Sequence, residues 1–223
     1  LADMYRRIGE FDQAREAIRN TEGVFVNLKR SRNWGEMHFN WEADVEDALG
    51  RVEFGAGHYA EAEARFRRAI AYKEQDNERN RNRAAQGVFS PTQEQVEGRL
   101  DGMYSWLALT LAKEGRLAEA ESNARRAVLS AIGRGGRDGV QVGKMLQNLA
   151  QILAEQGRFD EALALLDRAR GNFDRAGVAP DSLLLAQNHR LRAGPLAGLR
   201  RWTEVLAEYA AAVAERYGSL VQV

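Results

Sequence analysis

The sequence contains no cysteine and only three histidines in 223 residues. The absence of cysteine excludes disulfides, zinc ribbons and thiol nucleophiles. The histidines, His38, His58 and His189, lack the spacing of metal ligands. Lys plus Arg and Asp plus Glu number 32 each, so no net charge attracts nucleic acid or anionic lipid. We therefore expect no catalytic residues, no metal and no cofactor.

Long apolar segments are also missing. No run approaches the roughly 20 residues of a membrane-spanning helix, and the N-terminus lacks the basic and apolar order of a signal peptide. The sequence thus predicts a soluble protein; it leaves the compartment open and slightly favours the cytoplasm. The chain opens at Leu1 inside a helical pattern and ends on apolar residues at Val223, so we expect it to be part of a longer protein.

What the sequence does contain is an internal repeat. Each copy has a glycine, a large apolar residue two positions later and an alanine five positions later. The copies are Gly9 to Ala14, Gly57 to Ala62, Gly115 to Ala120 and Gly157 to Ala162, with Arg200 to Val205 as a degenerate fifth. A glycine that adopts a left-handed conformation ends a helix without a Cβ penalty, and the alanine lets two antiparallel helices approach closely.

Apolar residues at helical spacing precede and follow each copy, which predicts helical hairpins. Before Gly157, for example, Leu146, Leu149 and Leu153 lie on one helical face. The predicted hairpins cover approximately residues 1–31, 35–84, 91–133, 140–177 and 181–218, the first being incomplete at its start. Because no low-complexity linker divides them, we expect a single domain over 1–223.

These phased hairpins resemble the tetratricopeptide repeat (TPR) family. The glycines lie 48, 58 and 42 residues apart (9, 57, 115, 157), against about 34 for the standard unit. The longer spacing is similar to the long-helix repeats of kinesin light chains and of the TPR segments of CHAT-domain, caspase-like proteases. The resemblance implies an all-α fold, a right-handed α-solenoid of stacked hairpins.

Three irregularities give further predictions. The second hairpin places Val45 and Val52 in the core only if the turn at Phe54–Gly57 holds one extra residue. The wide spacing before Gly115 predicts a longer helix or loop after Lys73, with a new helix starting at Ser90–Pro91. In the fifth hairpin, Gly194–Pro195 is expected to interrupt the first helix.

First helices line the concave wall of such a solenoid, where extended peptides or helices bind. Trp106 suits an apolar anchor, although it could instead be buried against the adjoining repeat. Asn148 suits the recognition of a ligand's backbone amide. The full predicted partner-binding set is Glu46, Asp47, Phe54, Ser105, Trp106, Leu109, Lys113, Lys144, Gln147, Asn148, Gln151 and Glu155.

The repeat and the lack of catalytic groupings favour a non-catalytic protein-interaction scaffold that binds a peptide, helix or neighbouring domain. A second hypothesis is a regulatory or substrate-recognition arm of a larger enzyme such as a CHAT-type protease. Nucleic-acid binding through basic loops is a third, disfavoured by the zero net charge. The expected partner is a protein or peptide, with no membrane insertion, and the oligomeric state stays open.

Overall fold

The computed structural model describes residues 1–29, 41–87 and 100–217, and these ranges contain ten α-helices and no strand. In chain order the helices are α1 Ala2–Arg7, α2 Phe11–Lys29, α3 Trp41–Ala56, α4 Tyr59–Ala85, α5 Leu100–Lys113, α6 Leu117–Gly135, α7 Val140–Glu155, α8 Phe159–Arg175, α9 Leu183–Gly198 and α10 Trp202–Tyr217. The prediction of an all-α fold is confirmed. The helix start predicted at Ser90–Pro91 lies outside the described residues.

The chain divides into two compact units, Leu1–Glu114 and Gly115–Val223. In the first unit α2 packs on α1 and α3, and α4 packs on α3 and α5. In the second unit α7 packs on α6 and α8, and α9 packs on α8 and α10. The predicted single domain of five hairpins stays a prediction. The 27 residues of α4 account for much of the wide glycine spacing.

The repeated glycines end helices in the left-handed conformation that the sequence predicts. Their φ angles are 85° at Gly9, 83° at Gly57, 77° at Gly115 and 79° at Gly157. At Gly157 the backbone N–H donates to the Ala154 carbonyl at 3.0 Å, and the next N–H donates to the Leu153 carbonyl at 2.9 Å. This double hydrogen bond satisfies the last carbonyls of the helix.

Val45 and Val52 are buried in the core, as the sequence predicts. The turn at Gly57 nevertheless has the same hydrogen bonds as the turn at Gly157, so the predicted extra residue in it is wrong. Gly57 N–H donates to the Phe54 carbonyl at 3.1 Å and His58 N–H to the Glu53 carbonyl at 2.9 Å. With the turn unaltered, Glu46 and Glu53 occupy positions that hold apolar residues in the later hairpins. Both carboxylates are paired with arginines, and this pairing offsets the cost of their partial burial.

Glu53 forms the stronger of these pairs. Its two carboxylate oxygens accept from Nε and Nη2 of Arg15 on α2, each at 2.8 Å, and its side chain is only 13% exposed. His58 Nδ1 lies 2.9 Å from one of the same oxygens. Chiefly because of the hydrogen bonds from Arg15, the pKa of the Glu53 carboxyl falls to about 2. The pair therefore joins α2 to α3 across successive hairpins.

Small residues allow the helices to cross closely. The repeated alanines Ala14, Ala62, Ala120 and Ala162 are fully buried, as their predicted role requires. Two glycines make closer contacts still. A Cβ on Gly50 would lie 2.7 Å from Phe66 Cε1, and one on Gly143 would lie 2.4 Å from Phe173 Cε1.

Pro195 lies inside α9, which continues through it to Gly198. The prediction that Gly194–Pro195 interrupts this helix is therefore wrong. A proline removes one backbone hydrogen bond from a helix, and here burial of Pro195 and of the adjacent Leu196 favours the continued helix. At the start of α9, the Ser182 hydroxyl oxygen accepts from the Leu184 N–H at 3.2 Å and caps the helix.

Arg200 gives a first testable prediction, because it takes the place of a turn glycine and has a φ of 61°. A non-glycine residue pays roughly 1–2 kcal/mol in this conformation, while glycine costs part of that through unfolded-state entropy. We expect Arg200→Gly to raise the free energy of unfolding by about 1 kcal/mol, measured by urea denaturation. A variant that is less stable than the wild type would contradict this account.

Candidate protein-interaction surface

Trp106 on α5 forms the centre of an aromatic cluster in the first unit. Its ring meets Phe54 edge-on at a centroid distance of 5.3 Å and stacks on Phe66 at 6.3 Å. Phe54 in turn contacts Tyr59 at 5.6 Å. Trp106 is nevertheless only partly buried. The two interpretations offered by the sequence thus both apply in part, since one region of the indole packs on α3 and α4 and another stays accessible.

Arg51 is the residue of this surface that the sequence interpretation missed. Its guanidinium carbon lies 5.7 Å from the Trp106 ring centroid, a cation–π contact, and its Nη2 donates to Asp47 at 2.5 Å. The expected extra turn residue shifts the count along α3 by one position. Counted from Gly57 without it, Arg51 falls six residues before the turn, as Leu109 does before Gly115.

The predicted α3 residues serve mainly to pack the first unit. Asp47 is 8% exposed, and Glu46 accepts from Arg65 at 3.2 Å and from Arg68 at 3.1 Å, both on α4. On α5, Ser105 is 3% exposed. Asp47 and Ser105 are therefore buried, and Glu46 joins α3 to α4. Phe54 is partly buried, and its ring contacts Trp106.

Leu109 and Lys113 continue the surface beyond Trp106 along α5. The three residues recur at helical spacing, so they lie on one face of the helix. Leu109 is partly exposed and Lys113 is exposed. The face of α5 that carries Trp106 thus also carries one apolar and one basic side chain, and Arg51 of α3 lies at the indole ring.

A small cavity opens between α1 and α3 in the same unit. Its volume is about 130 Å³. It is lined by Ala2, Asp3, Arg6, Ile18, Asp47, Ala48, Arg51 and Val52. Arg51 thus borders both the cavity and the Trp106 ring. Through Arg51, the charged groups that line the cavity lie next to the aromatic cluster.

In the second unit, α7 carries a polar stripe formed by Lys144, Asn148, Gln151 and Glu155. The first three are partly exposed and Glu155 is exposed. Gln151 Nε2 donates to Glu155 Oε1 at 3.3 Å. Gln147, also predicted for this surface, is 1% exposed, and its Nε2 donates to the Leu184 carbonyl at 3.1 Å. Its amide therefore joins α7 to α9.

The two described histidines each contact a glutamate of another helix. His58 contacts Glu53, as above. His189 Nδ1 lies 2.5 Å from Glu208 Oε2, and Nε2 of the same histidine lies 3.1 Å from Arg170 Nη1.

Among the described residues, no group of three His, Asp or Glu side chains is placed to hold a metal ion. Within the same ranges, no helix has both the length and the apolar composition needed to cross a membrane.

Stacked hairpins with glycine turns and small residues at the crossings define a helical repeat protein. Residues 100–175 match the family model described as tetratricopeptide repeat. The predicted resemblance to TPR proteins, and to the kinesin light chain variety, is confirmed. A comparison with curated protein sequences gave no match.

Solved structures show the same fold at low identity. BtubC (BKLC) from P. vanneervenii has a TM-score of 0.69 and 16% identity, covering 100% of this chain and 80% of that one. A putative kinesin light chain from Podosopora anserina, with nearly identical TPR-like repeats, has a TM-score of 0.62 and 15% identity over 100% of this chain and 94% of its own. A variant of that protein with one substitution has a TM-score of 0.64 and 15% identity, covering 99% of this chain and 93% of its own.

Proposed function

We propose that this chain is a non-catalytic protein-interaction module that binds a peptide, a helix or a neighbouring domain through its first helices. TPR repeats generally mediate protein–protein interactions. The observation that carries the proposal is Trp106, a large aromatic side chain that stays partly exposed on a rigid aromatic base. Tryptophan is enriched among the residues that contribute most to binding.

The surroundings of Trp106 favour a particular kind of ligand. Leu109 extends the apolar surface, so an apolar side chain of the partner can bury its area against both residues. Lys113 is exposed and basic and can pair with a partner carboxylate near the rim. Because Phe54 and Phe66 already hold the indole, little conformational entropy is lost on binding.

The α7 surface of the second unit offers polar groups to a ligand. Asn148 and Gln151 carry side-chain amides, each of which can donate and accept hydrogen bonds. Such groups match the alternating N–H and C=O groups of an extended peptide backbone. We propose that this surface binds a peptide through hydrogen bonds, whereas the Trp106 surface of the first unit binds through apolar burial.

Peptides selected from a random displayed library on the wild-type protein provide the test. We expect Trp106→Ala to weaken their binding by at least ~30-fold, which corresponds to the ~2 kcal/mol of a binding hot spot. Trp106→Phe should retain most of the affinity, and Asn148→Ala should weaken it by about 10-fold through the loss of hydrogen bonds. Dissociation constants by fluorescence anisotropy give each comparison.

Val24→Ala and Leu129→Ala serve as matched controls, since both side chains are exposed apolar residues on second helices. Circular dichroism establishes that Trp106→Ala retains its helices. If every selected peptide binds both Trp106→Ala and Asn148→Ala as tightly as it binds the wild type, the proposed surface is wrong.

A further inference from the structure

Gly194 and Pro195 lie side by side inside α9, although glycine and proline are the two residues least favoured inside a helix. Packing does not require the glycine, since among the described residues no atom lies within 4 Å of the position that an added Cβ would take. Its backbone does not require it either, because Gly194 does not adopt the left-handed conformation. Gly194 therefore differs from Gly143, whose missing Cβ makes room for a buried ring.

Pro195 leaves one carbonyl of α9 without its helical donor. In an α-helix each carbonyl accepts from the N–H four residues later, and proline has no N–H to donate. The carbonyl concerned is that of Leu191, four residues before the proline. Leu191 is partly exposed, and Gly194 is exposed and has no side chain. The Leu191 carbonyl therefore lies beside a residue that has no side chain to cover it.

This part of α9 belongs to the same face of the repeat as the polar stripe of α7. Leu191 stands nine residues before the turn residue of its hairpin, the position of Asn148 in the preceding hairpin. Gly194 stands six residues before it, the position of Gln151. Asn148 and Gln151 are partly exposed although α9 packs beside α7. The face thus stays accessible when a further first helix stacks next to it.

We infer that the Leu191 carbonyl accepts a hydrogen bond from a backbone N–H of a peptide bound in an extended conformation, with the peptide backbone passing over Gly194. The inference rests on the proposed function, and it adds α9 to the peptide-binding surface of the second unit. A glycine lets another backbone approach closely, and the open space at Gly194 leaves room for one. The carbonyl then gains the donor that Pro195 does not supply.

The two first helices of the second unit lie side by side, so one peptide can reach both. Gln147 of α7 donates to the Leu184 carbonyl of α9 at 3.1 Å. Packed helix axes are about 8–10 Å apart, a distance that three residues of extended chain span at ~3.3 Å each. The side-chain amide of Asn148 can donate and accept, whereas the Leu191 carbonyl can only accept. The α9 contact is therefore specific for a donor on the peptide.

Ester substitution in the peptide tests this hydrogen bond. Peptides are selected from a random displayed library on the wild-type protein, and those that Asn148→Ala weakens are kept as probes. Each backbone N–H of a probe is replaced in turn by an ester oxygen, which removes the donor and keeps every side chain. We expect one of these esters to bind the wild type about 5-fold more weakly than the unmodified probe, as the loss of one hydrogen bond does.

Two variants of α9 identify the acceptor. Pro195→Ala restores the helical N–H, so the Leu191 carbonyl is bonded within the helix. This variant should bind the unmodified probe about 5-fold more weakly than the wild type does, and the sensitive ester should lose no further affinity. Gly194→Ala places a methyl group in the path of the peptide backbone and should weaken the probe by at least ~5-fold.

Gly23→Ala is the matched control, because Gly23 also has open space at its missing Cβ but lies on α2 of the first unit; it should bind the probe like the wild type. Circular dichroism establishes that all three variants keep their helices. If the probes bind Pro195→Ala and Gly194→Ala as tightly as the wild type, the inference is wrong and the proposed α7 surface stands. If no selected peptide depends on Asn148, the α7 surface itself is wrong, and the inference falls with it.

Discussion

Gly143→Ala should lower the free energy of unfolding by about 2 kcal/mol, although alanine favours a helix over glycine by ~1 kcal/mol. The added Cβ would lie 2.4 Å from Phe173 Cε1, 2.9 Å from Cζ and 3.0 Å from Cδ1. Phe173 is fully buried, so its ring cannot move into solvent. The helices α7 and α8 must separate, and overpacking of this kind typically costs 1–3 kcal/mol.

Urea denaturation followed by circular dichroism measures the effect. Gly23→Ala is the matched control: Gly23 also lies inside a helix, but no atom lies within 4 Å of the position that an added Cβ would take. It should be unchanged or more stable. Combining Gly143→Ala with Phe173→Leu should cost at least ~0.5 kcal/mol less than the sum of the single changes, because the smaller side chain makes room for the Cβ. Strict additivity would refute the contact as the cause.

Local turn chemistry explains why the hairpins could be predicted from the sequence. The Gly157 turn depends on residues within one helical turn of it, and the buried alanine five positions later follows from the same short pattern. Such features recur wherever the pattern recurs. They depend little on the rest of the chain.

The close contacts of Gly50 and Gly143 could not be predicted in this way. Gly50 lies seven residues before its turn and Gly143 fourteen, and their partners Phe66 and Phe173 are likewise shifted along the second helices. The two contacts therefore occur at different heights of their hairpins. When the repeats are aligned at their turns, Gly50 and Gly143 therefore fall at different positions, and no shared pattern marks them.

Long-range pairing also explains the error at the second hairpin. Burying a glutamate without a partner is costly. The local sequence pattern therefore favours an extra residue in the turn, which moves Glu46 and Glu53 away from the core positions. Arg15, which neutralises Glu53, lies 38 residues away on another helix. The same extra residue shifts the predicted surface residues of α3 by one position, and for this reason Arg51 is absent from the predicted set. Burial of Gln147 against α9 is hidden for a similar reason, since its partner is a backbone carbonyl of the next hairpin.

Glu53→Gln should lower the free energy of unfolding by about 3 kcal/mol at pH 7, and the deficit should shrink in acid. The pKa of Glu53 is about 2 in the folded protein, against an ordinary value of 4.5 for a glutamate carboxyl. Because the folded pKa is the lower one, the ionised pair stabilises the protein fully above pH 4.5 and loses this contribution as the pH falls towards 2. The difference of roughly two to three pKa units sets the magnitude at about 3 kcal/mol.

Unfolding of both proteins at pH 7 and pH 3 measures this dependence, and the gap between them should fall to about 1.5 kcal/mol at pH 3. Asp12→Asn is the matched control, because Asp12 accepts from the same Arg15 but its side chain is 99% exposed. An exposed pair contributes little, so this change should cost less than ~0.5 kcal/mol. A Glu53→Gln deficit that stays constant between pH 7 and pH 3 would mean that packing, and not the charge on Glu53, holds α2 against α3.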